Sequence, residues 1–111
     1  MEVQAKGKNV RISPRKVRLL LRPIKGRSVD EAVAILRNLP MPVAKRVEKI
    51  VKSAASNAEN NYQLDIDSLR IKAAYADEGP RLRRFRAGAR GRAKPWTRRF
   101  SHITIVVEDR V

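Results

Sequence analysis

From Arg81 to Arg99 the chain reads RLRRFRAGARGRAKPWTRR: nineteen residues, eight arginines, one lysine and no acid. On either side of this run the hydrophobic period is two. In SLRIKAAY, Leu69, Ile71, Ala73 and Tyr75 alternate with Arg70, Lys72 and Ala74. In FSHITIVV, Ile103, Ile105 and Val107 alternate with His102, Thr104 and Val106. Two half-buried strands therefore bracket the basic run. Joined through it, they make one antiparallel hairpin whose arms run past the sheet. With the turn near Arg90, and glycines at 88 and 91 free to take positive φ, each arm from Asp77 is on the order of 40 Å at ~3.3 Å per residue. The rest of the chain makes a body with a radius of gyration of only about 12 Å. The arm outreaches the body that carries it.

A two-stranded ribbon alone is marginal in water, and nine like charges make it worse. The expectation is that an anionic partner gives residues 81–99 their order. The plainer reading is a loop of merely solvated arginines, and three features weigh against it. Arginine predominates over lysine, and its planar fork suits bidentate phosphate contacts and stacking. Small residues alternate with the cations in Ala87-Gly88-Ala89-Arg90-Gly91-Arg92-Ala93, so backbone can approach a surface closely. Aromatics are interleaved at Phe85, Trp96 and Phe100. Trp96 has two equal readings: stacking on a base, or packing across the ribbon near Arg84 or Phe85.

Over the whole chain, 26 basic residues oppose 11 acidic ones, a net charge of +15. Polyanions are the natural partners, because phosphates neutralised by Lys and Arg release counterions. An anionic membrane surface would need an amphipathic helix with a bulky aromatic face, and none is evident. The 111 residues, 42% of them hydrophobic, suffice for one domain with a modest core. There is no cysteine, which favours a reducing compartment. No apolar run approaches the roughly 18 residues of a membrane-spanning helix, and MEVQAKGKNV lacks the apolar middle of a secretory signal. A soluble intracellular protein is expected.

Residues 2–12 alternate imperfectly and predict a short strand. Ser13-Pro14 predicts a helix start, with a capping hydroxyl and a proline in the first turn. Val17, Leu20, Leu21 and Ile24 form its core face; Arg15, Arg18 and Arg22 share another. Pro23 should end or kink it and Gly26 close it. Ser28-Val29-Asp30-Glu31 reads as a capping box opening a second helix with the stripe Val29, Ala32, Val33 and Leu36. Leu39-Pro40-Met41-Pro42 breaks it. A longer third helix turns Val43, Val47, Ile50, Val51, Ala54 and Ala58 inward and stops around Asn60-Asn61. The expected fold is α+β, three helices packed on a small antiparallel three-stranded sheet with a long protruding β-hairpin. A single domain over 1–111 is expected, with a globular body of 1–76 and 101–111 and a basic hairpin of about 77–100. Asp77-Glu78-Gly79-Pro80 would be the bend between them.

A second basic surface lies on the body. Arg11, Arg15, Lys16, Arg18 and Arg22 cluster around the first helix, where Ser13 and free N–H groups can also take a phosphate; the reading favours RNA. Lys45, Lys49 and Lys52 stripe the third helix, more simply as a solvated face. Phosphate-binding surfaces on both body and arm suggest a protein embedded in folded RNA. A free-standing nucleoid or RNA-chaperone factor is the rival, separable by whether the protein resides stoichiometrically, and resistant to salt, in a ribonucleoprotein particle. An enzyme is disfavoured. The single histidine, His102, sits mid-strand as a structural or RNA contact, no GxxxxGK or metal-ligand spacing occurs, and Asp77 and Glu78 are adjacent in a strand and point apart. No catalytic residue, cofactor, metal or small-molecule substrate is expected.

The segments ISPRKVRLL at 12–20, SAASNAENN at 53–61, AAYADEGPRLRRF at 73–85, ARGRA at 89–93 and RRFSHITIVV at 98–107 carry a resemblance across essentially the whole chain. It resembles the bacterial-type members of large-subunit ribosomal protein family twenty-two, those with a long tunnel-lining hairpin. The resemblance implies an α+β body near the polypeptide exit and a hairpin running inward along the tunnel wall. It implies binding to several rRNA domains, contact with neighbouring ribosomal proteins, a role in early assembly, and a path for the nascent polypeptide. The implied location is the cytoplasm, within the large subunit. Carried over, Ser13, Arg15, Lys16 and Arg18 fall on the rRNA-contacting first helix, and Arg83, Arg84, Arg90, Arg92, Arg98 and Arg99 on the rRNA-contacting hairpin. With Arg11 and Arg22 on the body, and Arg81, Arg86, Lys94 and Trp96 on the arm, these make the expected rRNA-binding set. The tip, Gly88, Ala89, Arg90, Gly91 and Arg92, would face the tunnel lumen. The chain departs from the family at Ala87-Gly88, at Lys94-Pro95-Trp96 and at Phe100.

Overall fold

In a computed structural model of the chain, which describes residues 2–87, 91 and 93–109, three helices pack on one antiparallel sheet. The strands are β1 (Glu2–Val10), β2 (Leu69–Ala87) and β3 (Ala93–Asp109); the helices are α1 (Pro14–Leu21), α2 (Val29–Arg37) and α3 (Pro42–Tyr62). The sheet order is β1-β3-β2, so the last strand is central and the basic hairpin is formed by β2 and β3. The sequence reading of an α+β fold with a protruding hairpin holds.

Ile103, Ile105 and Val107 of the central strand are fully buried against the helices, as their alternation predicts. Val17, Leu20 and Leu21 of α1, Ile24 just after it, and Val29, Ala32 and Leu36 of α2 join them in one core. On α3 the inward residues include Val47, Ile50, Val51, Ala54 and Ala58. Ala44, rather than the half-buried Val43, takes the place nearest the helix start. The alanines at 54, 55 and 58 let α3 lie close to β1 and β3. The helix runs to Tyr62 and stops where Gln63 adopts φ 54°, a left-handed cap.

Two helix starts differ in chemistry. Ser28 Oγ accepts from the Glu31 backbone N–H at 3.3 Å, the cap the sequence predicts, while the Glu31 carboxylate takes Arg27. Ser13, in contrast, makes no side-chain cap. Pro14 takes the first helical position, where an N–H is not needed, and the Ser13 carbonyl accepts from the Lys16 and Val17 backbone N–H groups. The expected Ser13 hydroxyl cap is therefore corrected. After α1 a short 3-10 turn, Arg22–Ile24, carries Pro23, and Gly26 at φ +77° turns the chain.

The largest correction concerns β2. Leu69 and Ile71 are buried as expected, but so are Ala74 and Ala76, while Ala73 is half-buried and Tyr75 is 43% exposed. The register explains it: Ile71 pairs with Val107 and Ala73 with Val106, so Lys72 is an extra residue in a β-bulge. One inserted residue exchanges the faces of everything beyond it. A second bulge follows. Glu78 pairs with Ser101 and Arg81 with Arg99, setting Gly79 and Pro80 together opposite Phe100. Asp77-Glu78-Gly79-Pro80 thus stays within the strand rather than leaving it. β1 bulges at the same level, between Gly7 and Val10, where Asn9 takes φ 56° and donates its N–H to His102 Nδ1 at 3.2 Å.

Candidate nucleic-acid interface

Beyond Phe100 the β2–β3 ladder continues without β1. Arg81 pairs with Arg99, Leu82 with Arg98, Arg83 with Thr97, Arg84 with Trp96, Phe85 with Pro95, Arg86 with Lys94, and Ala87 with Ala93. The register is centred on residue 90, as the sequence suggests. Gly91 takes φ +72°, whereas Gly88, Ala89, Arg90 and Arg92 lie outside the described residues. The principal extents are 64 × 26 × 16 Å and the radius of gyration is 17.0 Å, against about 13 Å for a compact chain of this length. The ladder accounts for the elongation.

Both strands of this ribbon carry cations, Arg81, Arg83, Arg84 and Arg86 on β2 and Lys94, Arg98 and Arg99 on β3. Arg81 and Arg99 stand directly opposed, as do Arg86 and Lys94, an arrangement that is destabilising without counter-charge. Glu78, the last acid before the run, contacts Arg81 at 2.9 Å. From residue 82 to 99 there is no further acid.

α1 places the second cluster at the root of this ribbon. Val10 pairs with Ser101, and Ser101 Oγ donates to the Ile12 carbonyl, which fixes the start of α1 beside the last three-stranded row. Arg18 Nη2 donates to the Ala76 carbonyl at 2.9 Å, capping a group of the β2 edge. Arg11, Arg15, Lys16 and Arg22 are exposed, Ser13 is half-buried, and among the described residues no ion pair engages these four cations. The start of α1 thus lies beside the row where the arm leaves the three-stranded sheet.

The acids gather elsewhere. At the opposite end of the sheet Glu108 binds Arg70, and Lys72 pairs with both Glu108 and Glu2. Hydrogen bonding to Lys72 holds the Glu2 carboxyl below the usual carboxylate range, and Glu2 raises the Lys72 ammonium in turn. On the helices Glu48 binds Arg37 at 2.8 Å and Lys52 at 3.1 Å. This agrees with the plainer reading of the α3 lysines as far as Lys52 is concerned. No group of metal-ligating side chains occurs among the described residues, and no helix among them is long and apolar enough to cross a membrane.

Sequence reasoning missed two surface residues at this site. Lys25 extends the α1 cations along a groove shared with Arg18, Leu21, Arg22, Ala74 and Tyr75. Tyr75 was expected inward. The residue type gives no hint otherwise; only the unseen bulge at Lys72 turns it out. A family model described as Ribosomal protein L22p/L17e matches residues 5–108 of the chain.

Proposed function

From the premise that the chain belongs to the ribosomal protein L22p/L17e family, we propose that its hairpin lines the nascent-peptide exit tunnel and that its body and arm together support subunit assembly. Membership makes it a structural protein of the large ribosomal subunit, in the cytoplasm, that binds rRNA and neighbouring ribosomal proteins. The family is non-enzymatic.

We take the chain as one domain, a body of 1–76 and 101–111 carrying a basic arm of about 77–100. Arg11, Ser13, Arg15, Lys16, Arg18 and Arg22 would anchor the body on rRNA. Arg81, Arg83, Arg84, Arg86, Arg90, Arg92, Lys94, Trp96, Arg98 and Arg99 would bind rRNA along the arm. Gly88 to Arg92 would reach the tunnel lumen and the nascent polypeptide. The observation that carries this reading is a two-stranded ladder, cationic on both strands, that extends past the three-stranded sheet. A ribbon basic along both strands is suited to a passage walled by phosphates, and contact with more than one rRNA domain would let it draw them together early.

The test is a photoreactive residue at position 90 in ribosomes stalled on a nascent chain. Crosslinks to both rRNA and the nascent peptide are expected. Crosslinks to rRNA alone would sink the tunnel-lining role. Failure of the chain to enter the large subunit would sink the assignment as a whole.

A further inference from the structure

Tyr75 lies at the junction of two grooves with complementary chemistry. On one side are Arg18, Arg22 and Lys25, with Ala74 and Leu21 as the floor. On the other is a cavity of about 530 Å³ lined by Gln4, Asn57, Asn61, Tyr62, Val106 and Glu2, among others, within the ~300–1,000 Å³ of small-ligand sites. The first groove has a structural cause. Gly26 and Arg27 pair with Ile71 on the outer edge of β2, and Arg18 caps Ala76; between those two covered points the edge is open. The second has Tyr62 and Tyr75 as its aromatic surfaces, 50% and 43% exposed. Glu2 on its rim is paired with Lys72, which offsets its repulsion of an anion.

We infer that Tyr75 and the two grooves it joins form a site for one unstacked rRNA nucleotide, its phosphate toward Arg22 and Lys25 and its base on Tyr75. This rests on the rRNA-binding reading and adds a site to it. An exposed aromatic supplies a platform for a splayed-out base. Gln4, Asn57 and Asn61 supply paired amide donors and acceptors, the groups that read base edges. The cations stand on the phosphate side and the amides on the base side, with the ring between them. A lysine-rich protein tail would suit the tyrosines, but it would be repelled by the three cations of the first groove.

The full chain is bound to a transcript of the large-subunit rRNA, irradiated, digested, and searched for nucleotide adducts. An adduct on residues 73–81 is expected. Tyr75→Ala should weaken binding about 10-fold at fixed salt, as loss of one stacked base does, with an unchanged salt slope; Tyr75→Phe should restore affinity. Arg22→Gln and Lys25→Gln should each lower the salt slope by about one, and Asn61→Ala, at an exposed helix position, serves where Tyr75→Ala fails to fold. Adducts confined to the arm, with wild-type affinity for Tyr75→Ala or Asn61→Ala, overturn the site while leaving rRNA binding intact. In assembled subunits, a protein crosslink at Tyr75 in place of RNA overturns it too. No binding by the wild-type chain defeats the underlying reading instead.

Discussion

Arg81 and Arg99 stand directly opposite each other across the β2–β3 ladder, two guanidinium-bearing residues in one cross-strand pair. Like charges so placed oppose the pairing, and among the described residues only Glu78 contacts one of them. Beyond this row β1 no longer pairs with β3, and among the described residues the ladder is two-stranded, a form marginal in water by itself. Order in the arm is expected to come from bound phosphate. Amide hydrogen exchange should be fast for residues 81–87 and 93–99 in free protein and strongly slowed in large subunits. Slow exchange in the free protein would falsify this account of the arm.

The root of the arm depends on a glycine. At Gly79 a Cβ would lie 3.2 Å from both the carbonyl carbon and the oxygen of Phe100, and 3.3 Å from His102 Cε1. Two of those contacts are backbone of the central strand, which cannot swing aside as a side-chain tip can. Gly79→Ala should therefore cost about 1–3 kcal/mol, the range of overpacking. Because the bulge sets the register of the arm, the substitution should also weaken rRNA binding. Urea denaturation checks the first effect and filter binding the second; an unchanged urea midpoint would show that the bulge relaxes freely.

Neighbouring alanines separate the fold from its sequence pattern. Period-two counting turns Ala73 inward, whereas the bulge at Lys72 buries Ala74 to 1% exposure and leaves Ala73 half-buried. Ala74→Lys should destabilise by about 3 kcal/mol or more, since it leaves an unpaired charge in the core. Ala73→Lys should cost under about 1 kcal/mol. The reverse order of their thermal midpoints would restore the unbroken alternation.

What was legible follows from the same physics. Helical stripes such as Val47, Ile50, Val51, Ala54 and Ala58 are fixed by a local period that nothing interrupts, and the central strand shows its Ile103, Ile105 and Val107 plainly. Its partners could not be read so far, because a bulge is a property of the pairing and neither strand's own residues encode it. The Ser13 cap failed for a different reason: Ser-Pro marks where a helix starts, but it does not fix where the hydroxyl points. The basic arm was legible as charge and length, yet the opposition of Arg81 to Arg99 needs the register. Tyr75 combines these limits, since it is placed by one bulge and given its neighbours by α1, far earlier in the chain.

Glu48 offers a test through pH. Its side chain is only 13% exposed and receives hydrogen bonds from Arg37 and then Lys52, which hold its carboxyl below the usual value of 4.5. A carboxyl depressed in the folded state stabilises the protein above its unfolded pKa, and that contribution is lost as pH falls through the folded one. Glu48→Gln keeps the shape and removes the charge. The urea midpoint of wild type should exceed that of the variant from pH 7 down to about 5, and the two should converge as the pH falls below 4.5 and the wild-type carboxyl takes up its proton. The gap should narrow with added salt, because both cations that hold the carboxylate are themselves largely exposed. A gap that persists unchanged to pH 3 would assign Glu48 a packing role and remove the ion pairs from the account.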